Sequence, residues 1–70
     1  MILYNLADGE KSVLGLESLL PYRQAAISQQ LARLRFEGFV DFRRQGKTRY
    51  YYIKDLKVLK LINLINEEFN

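Results

Sequence analysis

Residues 22–53 read YRQAAISQQLARLRFEGFVDFRRQGKTRYYYI, and the spacing of their apolar residues changes partway from a helical repeat to a strand-like one. In the first half, apolar residues recur at i, i+4 and i+7, namely Ile27, Leu31 and Leu34. This spacing predicts a helix over residues 24–37 with those three side chains on its buried face. The opposite face then carries small and polar side chains, with Ala25 and Gln29 near its centre.

The second half of this stretch predicts two short strands joined by a turn. Residues 39–44 and 48–53 are rich in aromatic, β-branched and basic residues. Gly38 suits the position that ends the preceding helix, and Gly46 suits a tight turn between the strands. Because a two-stranded hairpin is unstable alone, we expect it to lie against the helices.

Three further helices are predicted outside this stretch. The first is short and ends near Gly9, where an Asp-Gly pair signals a turn. The second is capped by Ser12 and stopped by Pro21, because a proline disfavours helical geometry in the residue before it. The last has Asp55 as its N-cap and occupies residues 55–69.

The order of elements is therefore helix, helix, turn, helix, hairpin, helix. This order predicts a mainly α fold with a two-stranded β-hairpin, a single winged helix-turn-helix domain over residues 1–70. In that fold the helix at 24–37 is the reading helix, residues 39–53 form the wing, and the helix at 55–69 pairs two subunits.

The last helix has more apolar surface than one small domain can cover. A chain of 70 residues buries only roughly 60% of its unfolded surface, and without cysteine it has no disulfide to brace it. We therefore expect a second copy of the chain to cover part of this helix. The predicted dimer interface consists of Leu56, Leu59, Ile62, Ile65 and Phe69.

Composition argues against catalysis and metal binding. The chain has no histidine and no cysteine, which removes the commonest general base and the commonest soft metal ligands. Its carboxylates are scattered, and no nucleophile is paired with a base. We expect neither an enzyme nor a cofactor or metal.

No apolar run approaches the ~18 residues of a membrane span, so we expect a soluble, cytoplasmic protein without a membrane partner.

Positive charge is concentrated in the middle of the chain. Eight cations lie between residues 22 and 54 against Glu37 and Asp41, so this stretch carries +6 in a chain of net charge +3. The eight are Arg23, Arg33, Arg35, Arg43, Arg44, Lys47, Arg49 and Lys54. A cationic middle between weakly acidic ends is typical of a surface that meets a polyanion, most simply double-stranded DNA.

Five segments also resemble a known family. They are Ser28–Leu31, Leu34-Arg35, Glu37–Val40, Arg43–Lys47 and Tyr50–Ile53, and together they resemble the ArsR/SmtB family of small bacterial winged-helix repressors. The resemblance covers nearly the whole chain. It implies a homodimer that binds double-stranded DNA at an inverted-repeat operator and represses transcription.

Two features depart from the family's sensing members. Metal-sensing members carry cysteines at positions that match Ser12 and Leu14. The sulfur-responsive branch, which this chain resembles most closely, pairs cysteines at positions that match Tyr4 and Asn70. The departures imply that this chain senses neither metals nor thiols by those routes. Family members also have an N-terminal helix before the residues matched here. Its absence suggests an alternative, a truncated module that forms mixed dimers with a full-length regulator and modulates it.

The DNA-contacting residues predicted from residue chemistry and from the resemblance lie on the reading helix and the wing. Glutamine and serine can bond to base edges, small alanines allow close approach, and cations bind phosphates. The candidates are Arg23, Gln24, Ala25, Ser28, Gln29 and Arg33 at the helix, and Arg43, Arg44 and Lys47 on the wing. For Arg33, helix-dipole stabilisation is an equal alternative. Arg49 could instead pair with a carboxylate, and the three consecutive tyrosines favour packing over base stacking.

Overall fold

The computed structural model describes residues 2–69, with side chains described as far as Ile65. Its elements are α1 (Ile2–Leu6), α2 (Val13–Leu19), α3 (Gln24–Phe36), β1 (Val40–Gln45), β2 (Thr48–Ile53) and α4 (Leu56–Phe69). The predicted reading helix corresponds to α3, and the predicted wing corresponds to the antiparallel hairpin of β1 and β2; both names are kept below. The predicted mainly α fold with a two-stranded hairpin, arranged as a winged helix-turn-helix, is confirmed.

The start of α2 and the end of α3 are fixed by local hydrogen bonds. The Ser12 hydroxyl accepts from the Gly15 N–H at 3.0 Å and so caps α2. After the last turn of α3, Gly38 has φ of 84°. Its N–H donates to the Arg35 carbonyl at 3.0 Å, while the Phe39 N–H donates to the Leu34 carbonyl at 3.0 Å. This pair of bonds is a Schellman motif, which ends the reading helix and turns the chain into the wing.

The wing begins one residue later than predicted. Phe39 is bonded to the end of the reading helix, so pairing starts at Val40 opposite Ile53 and ends at Gln45 opposite Thr48. The loop is Gly46-Lys47, and Gly46 has φ of 64°, which confirms the predicted glycine turn.

A third segment, which the sequence did not predict, pairs with the wing. Lys11 forms a bridge with Tyr51: the Lys11 N–H donates to the Tyr51 carbonyl at 3.0 Å, and the Tyr51 N–H donates back at 2.8 Å. Beside it, the Glu10 carboxylate accepts from Arg43 Nε at 2.8 Å through Oε2, and Arg43 Nη2 donates to Oε1. The segment before α2 therefore holds the wing by backbone and side-chain contacts together.

The core lies where α2, the reading helix and the wing meet. Its fully buried side chains are Leu16, Ile27, Leu31 and Val40. Ile2 and Leu6 of α1, Tyr51 and Ile53 of β2 and Ile62 of α4 complete it. Of the predicted buried face of the reading helix, Ile27 and Leu31 are fully buried and Leu34 packs half-buried against the core.

Two of the residues predicted at the dimer interface pack against the core of their own subunit. Ile62, predicted at the dimer interface, is only 8% exposed and packs inside its own subunit. Leu59, also predicted at the interface, packs half-buried against the same core, as does Val58. The side chain of Phe69 lies outside the described residues. The outward apolar side chains of α4 are Leu56, Leu61, Leu64 and Ile65.

We expect Leu31→Ala to destabilise the fold far more than a neighbouring surface change. Leu31 has no exposed area, so truncation leaves a cavity and lowers the free energy of unfolding by about 2–5 kcal/mol. Gln30→Ala, on the exposed surface of the same helix, should change it by no more than about 0.5 kcal/mol. Urea unfolding followed by circular dichroism measures both values, and equal effects of the two changes would contradict this packing.

A second expectation concerns the attachment of the wing. Hydrogen bonds from Arg43 lower the pKa of the Glu10 carboxyl from its ordinary value. A lowered carboxyl pKa stabilises the folded state above the ordinary pKa, and this contribution is lost as the pH falls through the lowered value. In an NMR titration, Arg43→Ala should raise the Glu10 pKa, whereas Arg44→Ala, one residue along the strand, should leave it unchanged. Equal Glu10 pKa values in the wild type and in Arg43→Ala would refute the ion pair.

Candidate nucleic-acid interface

The outward face of the reading helix carries uncommitted polar groups. Gln24, Ser28 and Gln29 are all exposed, and Gln29 lies opposite the buried Ile27 and Leu31 on the helix. In the part of the chain that the structure describes, none of these three side chains has a hydrogen-bond partner. Their amide and hydroxyl groups are therefore available to a ligand on this face.

The reading helix and the wing line one open cleft of about 420 Å³. Its lining includes Gln24, Ser28 and Ala32 from the helix, Lys47, Thr48 and Arg49 from the wing, and Ser12 and Leu14 at the start of α2. Two of the sequence-predicted helix residues are thus brought into one concave surface with Lys47. Ala25 and Gln29 are exposed on the same helix but do not line the cleft.

Arg44 and Lys47 near the tip of the wing are exposed and uncommitted. Neither side chain takes part in an ion pair or a hydrogen bond with any side chain that the structure describes. Their charges are therefore not neutralised within that part of the molecule.

Arg43, predicted alongside them, is held differently. In addition to its ion pair with Glu10, Arg43 donates from Nη1 to the Gln45 amide oxygen at 3.2 Å. Its guanidinium carbon lies 5.0 Å from the Tyr50 ring centroid. Arg43 sits on the opposite face of the hairpin from Arg44, since successive residues of a strand point to opposite sides. Its contacts give it a role in fixing the wing.

Arg49, which the sequence left open to carboxylate pairing, makes no such pair among the described side chains. Its guanidinium carbon lies 4.7 Å from the Phe42 ring centroid. Arg35 lies 4.6 Å from the same ring, and its Nε donates to Asp41 at 3.0 Å. The pKa of the Asp41 carboxyl is lowered first by the Phe42 N–H and then by Arg35. The Asp41 carboxylate near this ring therefore pairs with Arg35, and Arg49 has no carboxylate partner among the described side chains.

The two remaining cations of the predicted set lie at the two ends of the reading helix. Arg23 is the exposed N-cap residue, and its side chain makes no capping hydrogen bond. Near the other end, Arg33 lies 3.8 Å from Glu37 in an exposed ion pair. Such surface pairs contribute about 0–1 kcal/mol, so Arg33 can exchange this partner for another anion.

Phe36 is a feature of this face that was given no role from sequence. Its side chain is 92% exposed at the end of the reading helix, seven residues after Gln29 and so on the same side. Helical spacing places Phe36 on this side, but nothing in the sequence distinguishes an exposed phenylalanine from a packed one.

The three tyrosines of β2 divide as strand alternation requires. Tyr51 is buried, and its ring packs on Phe42 with centroids 5.4 Å apart. Tyr50 and Tyr52 are on the other side, where Tyr50 supports Arg43. For Tyr51 the packing interpretation is confirmed.

The positions that carry cysteines in sensing relatives have other uses here. Ser12 caps α2, whereas Leu14 and Tyr4 are exposed; Asn70 lies outside the described residues. Among the described side chains, which end at Ile65, no three carboxylates gather in a cluster that could hold a metal ion. The expectation that no metal binds stays a prediction.

Among the residues that the structure describes, no helix has the length and apolar character to cross a bilayer.

Comparison with known proteins places this geometry in a family. The sequence profile of the bacterial regulatory proteins of the arsR family matches residues 1–41. A biofilm growth-associated repressor of Agrobacterium fabrum is 43% identical over 93% of this chain and 56% of its own length. The transcriptional activator HlyU of Vibrio cholerae is 40% identical over 93% of this chain and 60% of its own. This chain thus spans little more than half the length of these relatives.

Solved structures agree with the sequence matches. Reduced HlyU from Vibrio cholerae superimposes with a TM-score of 0.89 at 38% identity, covering 97% of this chain and 72% of the other. A homodimeric winged helix-turn-helix DNA-binding domain from Mycobacterium bovis superimposes with a TM-score of 0.82 at 32% identity. The match covers 93% of this chain and 60% of that domain's chain. The resemblance predicted from the sequence is confirmed, and the chain belongs to the arsR family of bacterial regulatory proteins.

Proposed function

We propose that this chain is a sequence-specific, DNA-binding transcriptional regulator that acts in the cytoplasm as a dimeric repressor. The observation that carries the proposal is the cleft between the reading helix and the wing, where uncommitted polar side chains face uncommitted cations. The relatives support it, because they are named as a repressor, an activator and a DNA-binding domain.

In this proposal the reading helix enters the major groove. The groove is about 12 Å wide and admits a helix whose outward face is small. A glutamine amide at Gln29 or Gln24 can bond to the N6 and N7 edge of adenine, and Ser28 can bond to a base or a phosphate. The methyl group of Ala25 can contact a thymine methyl at close approach.

The wing supplies the contacts that are independent of sequence. Arg44 and Lys47 near its tip would bind backbone phosphates or enter the adjacent minor groove. Each neutralised phosphate releases counterions, so these contacts make binding depend on salt.

A dimer would place two reading helices on one duplex. The exposed leucines and isoleucine of α4, namely Leu56, Leu61, Leu64 and Ile65, provide apolar surface for a second copy. A two-fold dimer matches an inverted repeat with half-sites about 10 base pairs apart or a multiple of that spacing. The similar domain from Mycobacterium bovis is described as homodimeric, which supports this arrangement.

We expect Gln29→Ala to relax base preference at one position of each half-site. Loss of a bidentate contact removes about 1–3 kcal/mol of discrimination against the wrong base. Fluorescence anisotropy with the preferred duplex and single-base variants measures that difference. Gln30→Ala is the matched control, because Gln30 lines a groove with Ile2 and Leu3 on the α1 side. Unchanged discrimination in Gln29→Ala, or an equal loss in both variants, would count against the assigned face.

Lys47→Ala should weaken binding to all duplex sequences alike. Removing one phosphate contact should make the slope of log affinity against log salt concentration shallower by about 0.9. Lys60→Ala, on the exposed side of α4, should leave the slope as in the wild type. A wild-type slope in Lys47→Ala would exclude the wing tip from the interface. No binding by the chain alone would instead favour the mixed-dimer alternative.

A further inference from the structure

Arg49 lies against an aromatic ring and has no carboxylate partner among the described side chains. Arg33, Arg35 and Arg43 each pair with a carboxylate. Arg49 takes part in no ion pair or hydrogen bond with a described side chain, yet its guanidinium rests 4.7 Å from the Phe42 ring centroid. In this part of the chain its N–H donors are therefore unpaired, while the ring contact restrains its position.

Phe42 is a rigid support for that guanidinium. The ring is half-buried, packs against the core and lies 5.4 Å from the ring of Tyr51. The Phe42 N–H also donates to the Asp41 carboxylate at 2.8 Å. Because the core holds the ring in place, the ring favours one position of the Arg49 guanidinium, and it also contacts Arg35 of the reading helix at 4.6 Å.

Arg49 also occupies the boundary between the reading helix and the wing. It lines the cleft that Gln24, Ser28 and Lys47 share. It lines a second cleft of about 370 Å³ as well, which extends to Arg35 and Phe36 at the end of the reading helix. Arg49 therefore lies between the cleft proposed to bind DNA and the end of the reading helix.

The shape of duplex DNA determines what lies opposite Arg49. A sugar-phosphate strand always separates the major groove from the adjacent minor groove. If the reading helix occupies the major groove and the wing tip reaches the minor groove, that strand must cross the cleft between them. The groups facing Arg49 are then phosphate oxygens, which accept planar, bidentate N–H donation from a guanidinium.

We propose that Arg49 binds a backbone phosphate of the duplex and that Phe42 is the positioning residue that orders its guanidinium beforehand. The proposal rests on the proposed DNA-binding function and adds a residue that the predicted contact set omitted. An arginine that is ordered before binding loses less side-chain entropy on binding, so its contact yields more affinity. Arg44, directly opposite Arg49 in the hairpin, has no aromatic support among the described side chains and is the natural comparison.

The test measures affinity for one labelled duplex over a range of salt concentrations. Arg49→Ala should make the salt slope shallower by about 0.9, as loss of one phosphate contact does. Arg49→Lys should keep the wild-type slope but bind more weakly, because lysine retains the charge and loses the planar stack. Phe42→Leu should also keep the slope and lose about two- to fivefold in affinity, whereas Phe42→Tyr should retain wild-type affinity.

A double-mutant cycle distinguishes positioning from a general structural effect. Phe42→Leu should cost much less in the Arg49→Ala background, where only the Arg35 contact with the ring remains to be lost, but keep its full cost in the Arg44→Ala background. Circular dichroism should show that each variant is folded. The Arg49 variants, which change an exposed side chain, test phosphate binding even if Phe42→Leu unfolds.

The contrary outcomes are distinct from failure of the proposed function. If the wild type binds with a steep salt slope and Arg49→Ala keeps that slope, Arg49 contacts no phosphate and the inference is overturned. An undiminished Phe42→Leu effect in the Arg49→Ala background would overturn the positioning role. Absence of salt-dependent binding by the wild type would overturn the DNA-binding function itself, and the inference with it.

Discussion

Burial of Ile27 and Leu31 is the constraint on which the rest of the molecule depends. These side chains pack against Leu16 of α2 and Val40 of the wing, and all four are fully buried. Burying one such side chain contributes about 1.5–3 kcal/mol, a large share of the stability of a small domain. Because successive helical residues are rotated by about 100°, fixing these two inward also fixes Gln29, midway between them in the sequence, on the outward side. The same contacts that stabilise the fold therefore orient the proposed DNA-binding face.

A second group of contacts positions the wing. Some cations of the wing take part in these contacts, and others make no contact with a carboxylate. The Schellman motif at Gly38 sets its exit from the reading helix, and the Lys11–Tyr51 bridge holds its second strand. Arg43 is committed to Glu10, whereas Lys47 remains uncommitted. The cations of the wing thus have two roles. Those that pair with carboxylates attach the wing to the domain, and those that do not leave a positively charged surface.

Local sequence patterns predicted the elements well. Helical spacing located the buried face of the reading helix, and glycines at positions that need positive φ marked its end and the hairpin turn. The contacts that escaped prediction join residues far apart in the chain. Arg43 and Glu10 are 33 positions apart, and no local repeat indicates which arginine reaches that carboxylate.

The last helix was predicted less well for a different reason. Apolar residues surround most of α4, so periodicity alone could not separate Ile62, which packs inward, from Leu61, which faces out. The individual DNA-contacting and interface residues stay predictions, because their roles depend on a duplex and a second subunit.

Selection from a pool of random duplexes, followed by sequencing, tests most directly whether one oriented helix per subunit recognises DNA. We expect enrichment of an inverted repeat whose half-site centres are about 10 base pairs apart or a multiple of that spacing. Recovery of the unselected pool composition at low salt would contradict sequence-specific binding by the reading helix.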